Sequence, residues 1–408
     1  MSSMSQMPVP GSTAIAGFGR TAVVHYWLVA MRGGERVLQA ILDLLPDATV
    51  YTHVLDRAKV AEVVGDRPVR TTFIDRLPLA RSQYQKYLPL MPRALEQLDM
   101  SGYDLVISSE SGPAKGVIVD PEALHVCYCH TPMRYIWDQY HLYLGQAGRV
   151  TRLMWPRIAA RLRQWDVTSA ARVDLFIANS TFVRQRIRKY YNRDAIVIPP
   201  PVDVDYFAAS GPEKPGDHYL LAGQLVAYKR PDLAIEAFRR SGRQLRIVGD
   251  GEDLRRLCRD APNIVLLGRI PREALRQEYR TCRALIFPGL EDFGIVPVEA
   301  MAAGRPVIAF GRGGVCDSVV PGVTGVLFPE QTVDALNAAI DAFEESATAF
   351  DPYRIAHHAR SFDRPVFADR FRAALSAAAA LPRMRASGVY GGEPLWADFE
   401  VARQEMPT

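Results

Sequence analysis

Glu291 and Glu299 stand eight residues apart in the stretch F-P-G-L-E-D-F-G-I-V-P-V-E-A-M-A-A-G, residues 287–304. A carboxylate accepts several hydrogen bonds, so such a pair can hold a ligand rich in hydroxyl groups. The run from Ala284 to Phe287 has the length and type of a buried strand, and Pro288 and Gly289 close it. A helical pattern starts near Gly294 and stops at Gly304, where glycine can take a left-handed cap. The stretch therefore reads strand, acidic loop, helix. Its first free backbone N–H groups belong to Phe293, Gly294 and Ile295, and such groups attract phosphates. Either glutamate by itself reads more simply as a solvated helix residue.

Other residue groups could act with this pair. Gly223-Gln224-Leu225-Val226-Ala227-Tyr228-Lys229-Arg230 follows an apolar run and offers two cations, Lys229 and Arg230. Cations and helix N-termini aimed at a phosphate leaving group lower the barrier to its departure. A solvated loop pair is the plainer alternative. Gly249 and Asp250 end the next strand and join the same set. Gly33 and Gly34 open a helix directly after the first strand, where glycines let N–H groups approach a phosphate or simply make a tight turn. His130 ends a strand, the place where strand–helix alternations meet ligands, although a lone histidine is more often structural. Cys127, Cys129 and His130 do not make a metal site, because no second ligand cluster accompanies them and Cys-x-Cys fits strand alternation.

The elements that must position these groups alternate. In the first half, strands are expected at Thr21–Trp27, Val50–His53, Arg70–Phe73, Tyr103–Ser108, Leu124–Cys129, Val173–Asn179 and Ala195–Ile198. Val37, Leu38, Ile41, Leu42 and Leu45 make an apolar helix face, and Pro89 and Pro92 break any helix over 83–98. The second half repeats the pattern, with strands at His218–Ala222, Leu245–Val248, Ile264–Leu267, Ala284–Phe287 and Val307–Phe310. Helices are expected between them and at Val333–Phe343 and Pro365–Leu381. Such alternation predicts an α/β chain with two parallel sheets covered by helices. The domain reading is a disordered leader over 1–19, a first Rossmann-like domain over 20–200 and a linker over 201–216. A second domain over 217–363, a helix over 364–382 and a tail over 383–408 follow. At 408 residues, two cores are comfortable. No apolar run reaches the roughly 18 residues of a spanning helix, and the start of the chain lacks the basic and apolar blocks of a signal peptide. Five scattered cysteines argue against a disulfide framework and for a reducing, cytoplasmic setting.

The Glu-seven-Glu stretch resembles the donor-site signature of retaining family-four glycosyltransferases. Gly-Gly-Glu after the first strand resembles the first loop of the same family. C-H-T-P-M-R-Y-I-W-D from Cys129 is similar to a bacterial polysaccharide and O-antigen mannosyltransferase subgroup. The resemblance runs from Arg20 to about Leu381. It implies the GT-B architecture, two Rossmann-like domains facing a cleft, with the last helix returning to the first. It implies a nucleotide sugar as substrate, GDP-mannose before UDP-sugars, and transfer with retention and without metal or other cofactor. By that likeness Glu291 binds donor-sugar hydroxyls, His130 approaches the sugar, Glu299 holds the ribose and Lys229 binds the diphosphate. The backbone from Phe293 to Ile295 contacts sugar or phosphate. Gln224 departs from the pattern, standing where the family carries an arginine. Either Arg230 substitutes for that charge or the phosphate clamp is weaker.

Residues 149–193 hold eleven Arg or Lys against two acids, a net of +9 where the whole chain carries +4. With Leu153, Met154, Trp155, Ile158, Leu162 and Trp165 on the same stretch, this predicts contact with an anionic membrane and a lipid-pyrophosphate-linked glycan acceptor. The alternative is a solvated basic helix. Nucleic acid is not expected, since no recognised binding module accompanies the charge. The competing readings of the whole chain are a UDP-sugar transferase, a sugar-nucleotide epimerase or hydrolase of the same fold, and a scaffold weakened at Gln224.

Overall fold

A computed structural model describes residues 18–208, 214–251 and 254–380. The expected leader, except for its last two residues, and the tail lie outside these. The chain divides into two compact units. The first holds the chain up to Ala178, Val183–Ile198 and the part from Ala368 onward; the second holds Asn179–Phe182 and Pro199–Phe367.

In the first unit seven strands run parallel: β1 (Thr21–His25), β2 (Thr49–Thr52), β3 (Val69–Thr71), β4 (Leu105–Glu110), β5 (Leu124–Cys129), β6 (Leu175–Ala178) and β7 (Ile196–Val197). Their spatial order is β3-β2-β1-β4-β5-β6-β7. The second unit has six parallel strands: β8 (His218–Ala222), β9 (Gln244–Val248), β10 (Ile264–Gly268), β11 (Leu285–Phe287), β12 (Val307–Phe310) and β13 (Gly325–Phe328). Their order is β10-β9-β8-β11-β12-β13. Each sheet reverses direction of growth once, between β1 and β4 in the first and between β8 and β11 in the second. Loops leaving the carboxyl ends of such a pair diverge and leave a crevice for a ligand.

The strands are continuous apolar runs because both faces are covered, as parallel sheets require. Helix Gly33–Leu44 buries Val37, Leu38, Ile41 and Leu42, the stripe read from the sequence. Helix Pro231–Ser241 begins on a proline, whose fixed φ suits a first turn, and buries Leu233, Ile235 and Phe238. Burial of such side chains stabilises by about 1.5–3 kcal/mol each.

The structure differs from the sequence reading in several places. Residues 201–216 are not a linker throughout. Helix Val204–Ala208 lies there, and its Val204 and Phe207 belong to the second core. Val202 also donates its N–H to Phe362 O at 2.9 Å. The expected strand at 70–73 ends at Thr71 and gives way to a 3-10 turn over Phe73–Arg76. Strand β13 and helices Tyr140–Gln146 and Pro352–Ala359 were not anticipated. The last helix, Arg364–Ala380, starts in the second unit, and its later turns belong to the first, where Phe371 lies against Tyr128.

An ion cluster is sealed inside the first unit. Lys115, Glu110 and Asp166 are fully buried. Lys115 Nζ donates to Glu110 Oε1 at 2.7 Å and also to Asp166 Oδ1. Trp137 Nε1 and Tyr191 Oη donate to Asp166 Oδ2 at 2.7 and 3.0 Å. The cluster anchors the end of β4, and Glu110 O there accepts the N–H of His130 at 2.8 Å. Removing one partner of a buried pair strands the other's charge. Lys115→Met should therefore destabilise the first unit by about 3–5 kcal/mol. Trp27, Trp137, Trp155 and Trp165 all lie in this unit, so denaturant unfolding followed by tryptophan fluorescence measures it.

Candidate active site

In the second unit the loops after β8 and β11, the strands flanking the reversal, carry the chemistry. Lys229 comes from a 3-10 turn, Ala227–Lys229, beyond β8. Glu291 comes from the loop after β11. Lys229 Nζ and Glu291 Oε1 are 2.9 Å apart, with side chains 15% and 18% exposed. The pair is held by charge more than by direction, since Glu291 Oε1 is buried and lacks a well-aligned hydrogen-bond donor. A polar oxygen in that state gains when a ligand donates to it.

Backbone packing brings these loops together. A Cβ at Gly289 would lie 2.6 Å from Lys229 Cα, so only glycine lets the two loops close. Gly249, at φ +122°, sits where a Cβ would collide with Gly223 O. A Cβ at Gly223 would meet Lys229 Nζ at 3.5 Å and Val296 Cγ2 at 3.9 Å, which places the ammonium beside the first turn of helix Ile295–Ala302. From the loop after β12, Gly314 donates its N–H to Glu291 O at 2.9 Å. Gly314 and Tyr279 were not anticipated as parts of the site. Tyr279 is fully buried and donates from Oη to Glu299 Oε2 at 2.9 Å, fixing a carboxylate that is itself 4% exposed. A polar tip on an otherwise apolar helix face was the available signal for Tyr279.

Other expectations shift. Gly294 is the left-handed N-cap at φ +90°, so the helix starts at Ile295. Its leading N–H groups are those of Ile295, Val296 and Val298, Pro297 having none. The Phe293 side chain is buried against Phe362. Gly304 takes the left-handed cap read from the sequence, at φ +74°. The Arg230 guanidinium pairs with Asp232 at 2.9–3.1 Å. Gln224 is exposed in its loop. The Asp250 carboxylate pairs with Arg269, while Asp250 O accepts the Leu225 N–H at 2.7 Å. Asp250 thus shapes the loop after β8 through its backbone.

In the first unit, His130 follows β5 in a loop pinned by Arg186, which donates to Thr131 Oγ1, to Pro132 O at 3.3 Å and to Asp138 Oδ1 at 2.5 Å. His130 Nε2 is 2.9 Å from Ser109 Oγ, and the same hydroxyl is 3.0 Å from His25 Nδ1. A Cβ at Gly34 would come within 3.8 Å of His130 Nε2, so the Gly33–Gly34 helix start borders the histidine. His25 and Ser109, on β1 and β4, were not anticipated. Burial, then the neighbouring His25, pushes His130 down to about 3, and the ring is neutral. Cys127 and Cys129 are buried in β5, and burial raises the Cys129 thiol well above its ordinary range. Among the described residues no group of three or more His, Cys, Asp or Glu could hold a metal. A cavity of about 230 Å³ lined by Arg20, Leu45, Asp47 and Tyr103 lies at the amino ends of the first sheet's strands, the edge opposite these loops.

Residues 31–206 match the model described as Glycosyltransferase Family 4, and residues 205–357 match Glycosyl transferases group 1. The two matches fall on the two halves of the chain, each built on a parallel Rossmann-like sheet, the two-domain fold of the GT-B type. An uncharacterised glycosyltransferase of Methanocaldococcus jannaschii is 28% identical over 173 residues, 41% of this chain and 48% of that protein. A GDP-mannose-dependent alpha-(1-6)-phosphatidylinositol monomannoside mannosyltransferase of Mycolicibacterium smegmatis is 30% identical over 192 residues, 40% and 50% of the two chains. The chain spans about half the length of the curated relatives it matches. The solved structure of Anabaena HepE in complex with UDP superimposes with a TM-score of 0.65 at 19% identity, covering 88% of this chain and all of that one. That likeness speaks for the fold.

The buried histidines set an acid limit. Burial lowers His53, His125 and His130 to about 3 each. Below the ordinary imidazole value of about 6.5, the unfolded chain binds protons that the folded chain refuses. Stability is therefore full above that pH and declines as pH falls, by up to about 1.4 kcal/mol per pH unit for each histidine. Urea midpoints by tryptophan fluorescence should drop between pH 7 and pH 5; equal midpoints would contradict it.

Proposed function

We propose that this chain is a retaining hexosyltransferase using a nucleotide-sugar donor, with GDP-mannose the first candidate, and working without metal. The observation that carries the reading is the Lys229–Glu291 pair at the reversal of the second sheet, beside a helix N-terminus and with Glu299 on the same helix. A nucleoside diphosphate leaving group gathers negative charge on its phosphate oxygens as the bond to sugar C1 breaks. Lys229 and the N–H groups of Ile295 and Val296 meet that charge. Glu291, released by Lys229, accepts hydroxyl donors of the sugar, and Glu299, steadied by Tyr279, accepts those of the ribose. His130 is assigned to the sugar by the family likeness alone. The acceptor oxygen bonds to C1 on the face the phosphate leaves, and its proton passes to the departing phosphate oxygen. The dependence of the M. smegmatis relative on GDP-mannose supports the donor choice.

Glu291→Ala and Lys229→Ala should each lower turnover by about 10²–10³-fold. Glu299→Ala should chiefly raise the donor KM. Wild-type turnover in the first two, or an unchanged KM in the third, would remove those roles. With Arg230 committed to Asp232, Gln224→Arg should keep or raise activity, and an inactive folded variant would contradict that. Assays against GDP-mannose, UDP-glucose, UDP-galactose and UDP-GlcNAc, with and without EDTA, decide the donor and the metal independence. Release of nucleoside diphosphate from none of them would leave the scaffold reading.

For the acceptor we favour a lipid-linked glycan at an anionic membrane surface, on the inner face of the cytoplasmic membrane. No helix among the described residues is long and apolar enough to cross a membrane. Helix Arg149–Ala170 instead exposes Arg149, Arg152, Arg157 and Arg161 alongside Val150 and Leu153, 73% and 72% exposed, and Met154. The +9 read from sequence overstates this surface. Arg163 donates to Ile136 O, Arg172 to Gly116 O, Arg186 to the His130 loop and Arg193 to Ala170 O and Val173 O. Four exposed cations still contribute about 1 kcal/mol each near anionic lipid. The protein should co-sediment with anionic but not neutral vesicles at low salt, and changing those four arginines to glutamine should release it. Equal recovery in the supernatant with either lipid would leave a soluble acceptor.

A further inference from the structure

Arg230 holds a backbone conformation that its residue type disfavours. Its φ is 53° and its ψ 48°, in the left-handed region. Among the described residues, Leu79, Asn192 and Asp260 are the other non-glycine residues with positive φ. In that region Cβ crowds the following carbonyl oxygen, so side chains other than those of Asn and Asp rarely settle there. Arg230 also precedes Pro231, whose ring disfavours the right-handed form. It pushes the preceding residue toward extended backbone, with ψ of about 120–160°. The left-handed form therefore needs support from its surroundings.

The joint matters because of what it connects. Arg230 is both the C-cap of the 3-10 turn Ala227–Lys229 and the N-cap of helix Pro231–Ser241. Its N–H donates to Ala227 O at 3.0 Å, and its carbonyl accepts the N–H of Leu233 at 3.2 Å and of Ala234 at 3.4 Å. Its torsions thus set the angle between that helix and the turn that carries Lys229. The angle has little slack. A Cβ at Gly289 would lie 2.6 Å from Lys229 Cα and 3.1 Å from Lys229 C and O, so the loop carrying Glu291 rests on this backbone.

The support is Asp232. Arg230 Nε donates to its two carboxylate oxygens at 3.0 and 3.1 Å, and Nη2 donates to Oδ2 at 2.9 Å. The ring closed by this pair runs through the Arg230 ψ and the Pro231 torsions, and so opposes a swing to extended backbone. Asp232 lies in the first turn of its helix, where the positive end of the dipole favours a carboxylate.

We propose that the Arg230–Asp232 pair is a positioning clamp: it keeps Arg230 left-handed and thereby holds Lys229 where it meets Glu291 and the donor phosphates. Arg230 acts through Lys229 and not on phosphate. The clamp is a property of the second unit's fold, and only its use in donor binding rests on the transfer reading above. The two side chains are 35% and 49% exposed, so the clamp biases the joint without locking it.

Two measurements on the full chain test this. Hydrogen exchange by mass spectrometry, without ligand, reads the peptides that contain the Leu233 and Ala234 amides. Titration calorimetry with GDP and with UDP reads the phosphate site. In Asp232→Ala, exchange at those amides should quicken. The nucleotide that binds the wild type should bind about threefold more weakly, the loss expected when about a third of the molecules keep the competent form. Adding Arg230→Gly should restore both, because glycine takes the left-handed form without a clamp. An Arg230 that served phosphate directly predicts the reverse: Asp232→Ala would free its charge and tighten binding, and Arg230→Gly would then weaken it. Equal or tighter nucleotide binding in Asp232→Ala, unchanged exchange, or a double variant no better than the single one would each overturn the proposal. Exchange that quickens and recovers as described, with neither nucleotide bound by the wild type, would leave the clamp standing and overturn the transfer reading instead.

Discussion

The second unit depends on one contact, the approach of Lys229 to Glu291 at 2.9 Å. An ammonium and a carboxylate this poorly exposed are costly to desolvate, and they are tolerable because each neutralises the other. The sheet order makes the meeting possible. Loops leaving β8 and β11 diverge around the reversal, and Gly289 lets them close again over Lys229. Gly314 then holds the Glu291 backbone from a third loop, and Tyr279 holds Glu299 from behind. The two charges are therefore held against each other. In the proposed reaction a diphosphate sugar would bring a substitute for each: anionic oxygens for Lys229 and hydroxyl donors for Glu291.

At the reversal between β1 and β4 the first unit places an imidazole–hydroxyl–imidazole chain beside buried Glu35. The nearby Lys115 cluster anchors the end of β4, where Ser109 and Glu110 carry the hydroxyl and the carbonyl that His130 meets.

The strands, and the elements that carry Lys229, Glu291 and Glu299, were legible in the sequence because their signals are local. Apolar runs ended by glycine or proline placed β8, β9, β11 and β12. What was not legible depends on distant partners. His25 and Ser109 are 84 residues apart and meet only through strand register. Helix Val204–Ala208 lies in a stretch of linker-like composition, and its Val204 and Phe207 are recruited by the second core. Strand β13 is a four-residue edge whose identity comes from pairing with β12. Arg186 and Arg193 counted as surface charge until the fold turned them onto carbonyl and carboxylate oxygens. Arg230 likewise looked available for phosphate until Asp232, two residues on, claimed it.

The most direct test of the charge-exchange account is the affinity of the folded protein for GDP alone, measured by titration calorimetry in the wild type, Lys229→Ala and Glu291→Gln. If the two groups merely both contact ligand, both variants bind more weakly. If Glu291 restrains Lys229 in the empty site, Glu291→Gln binds GDP more tightly, by about tenfold or 1.4 kcal/mol, while Lys229→Ala binds it more weakly by a similar factor. Opposite shifts are the predicted result, and parallel losses or no change in either variant would contradict it.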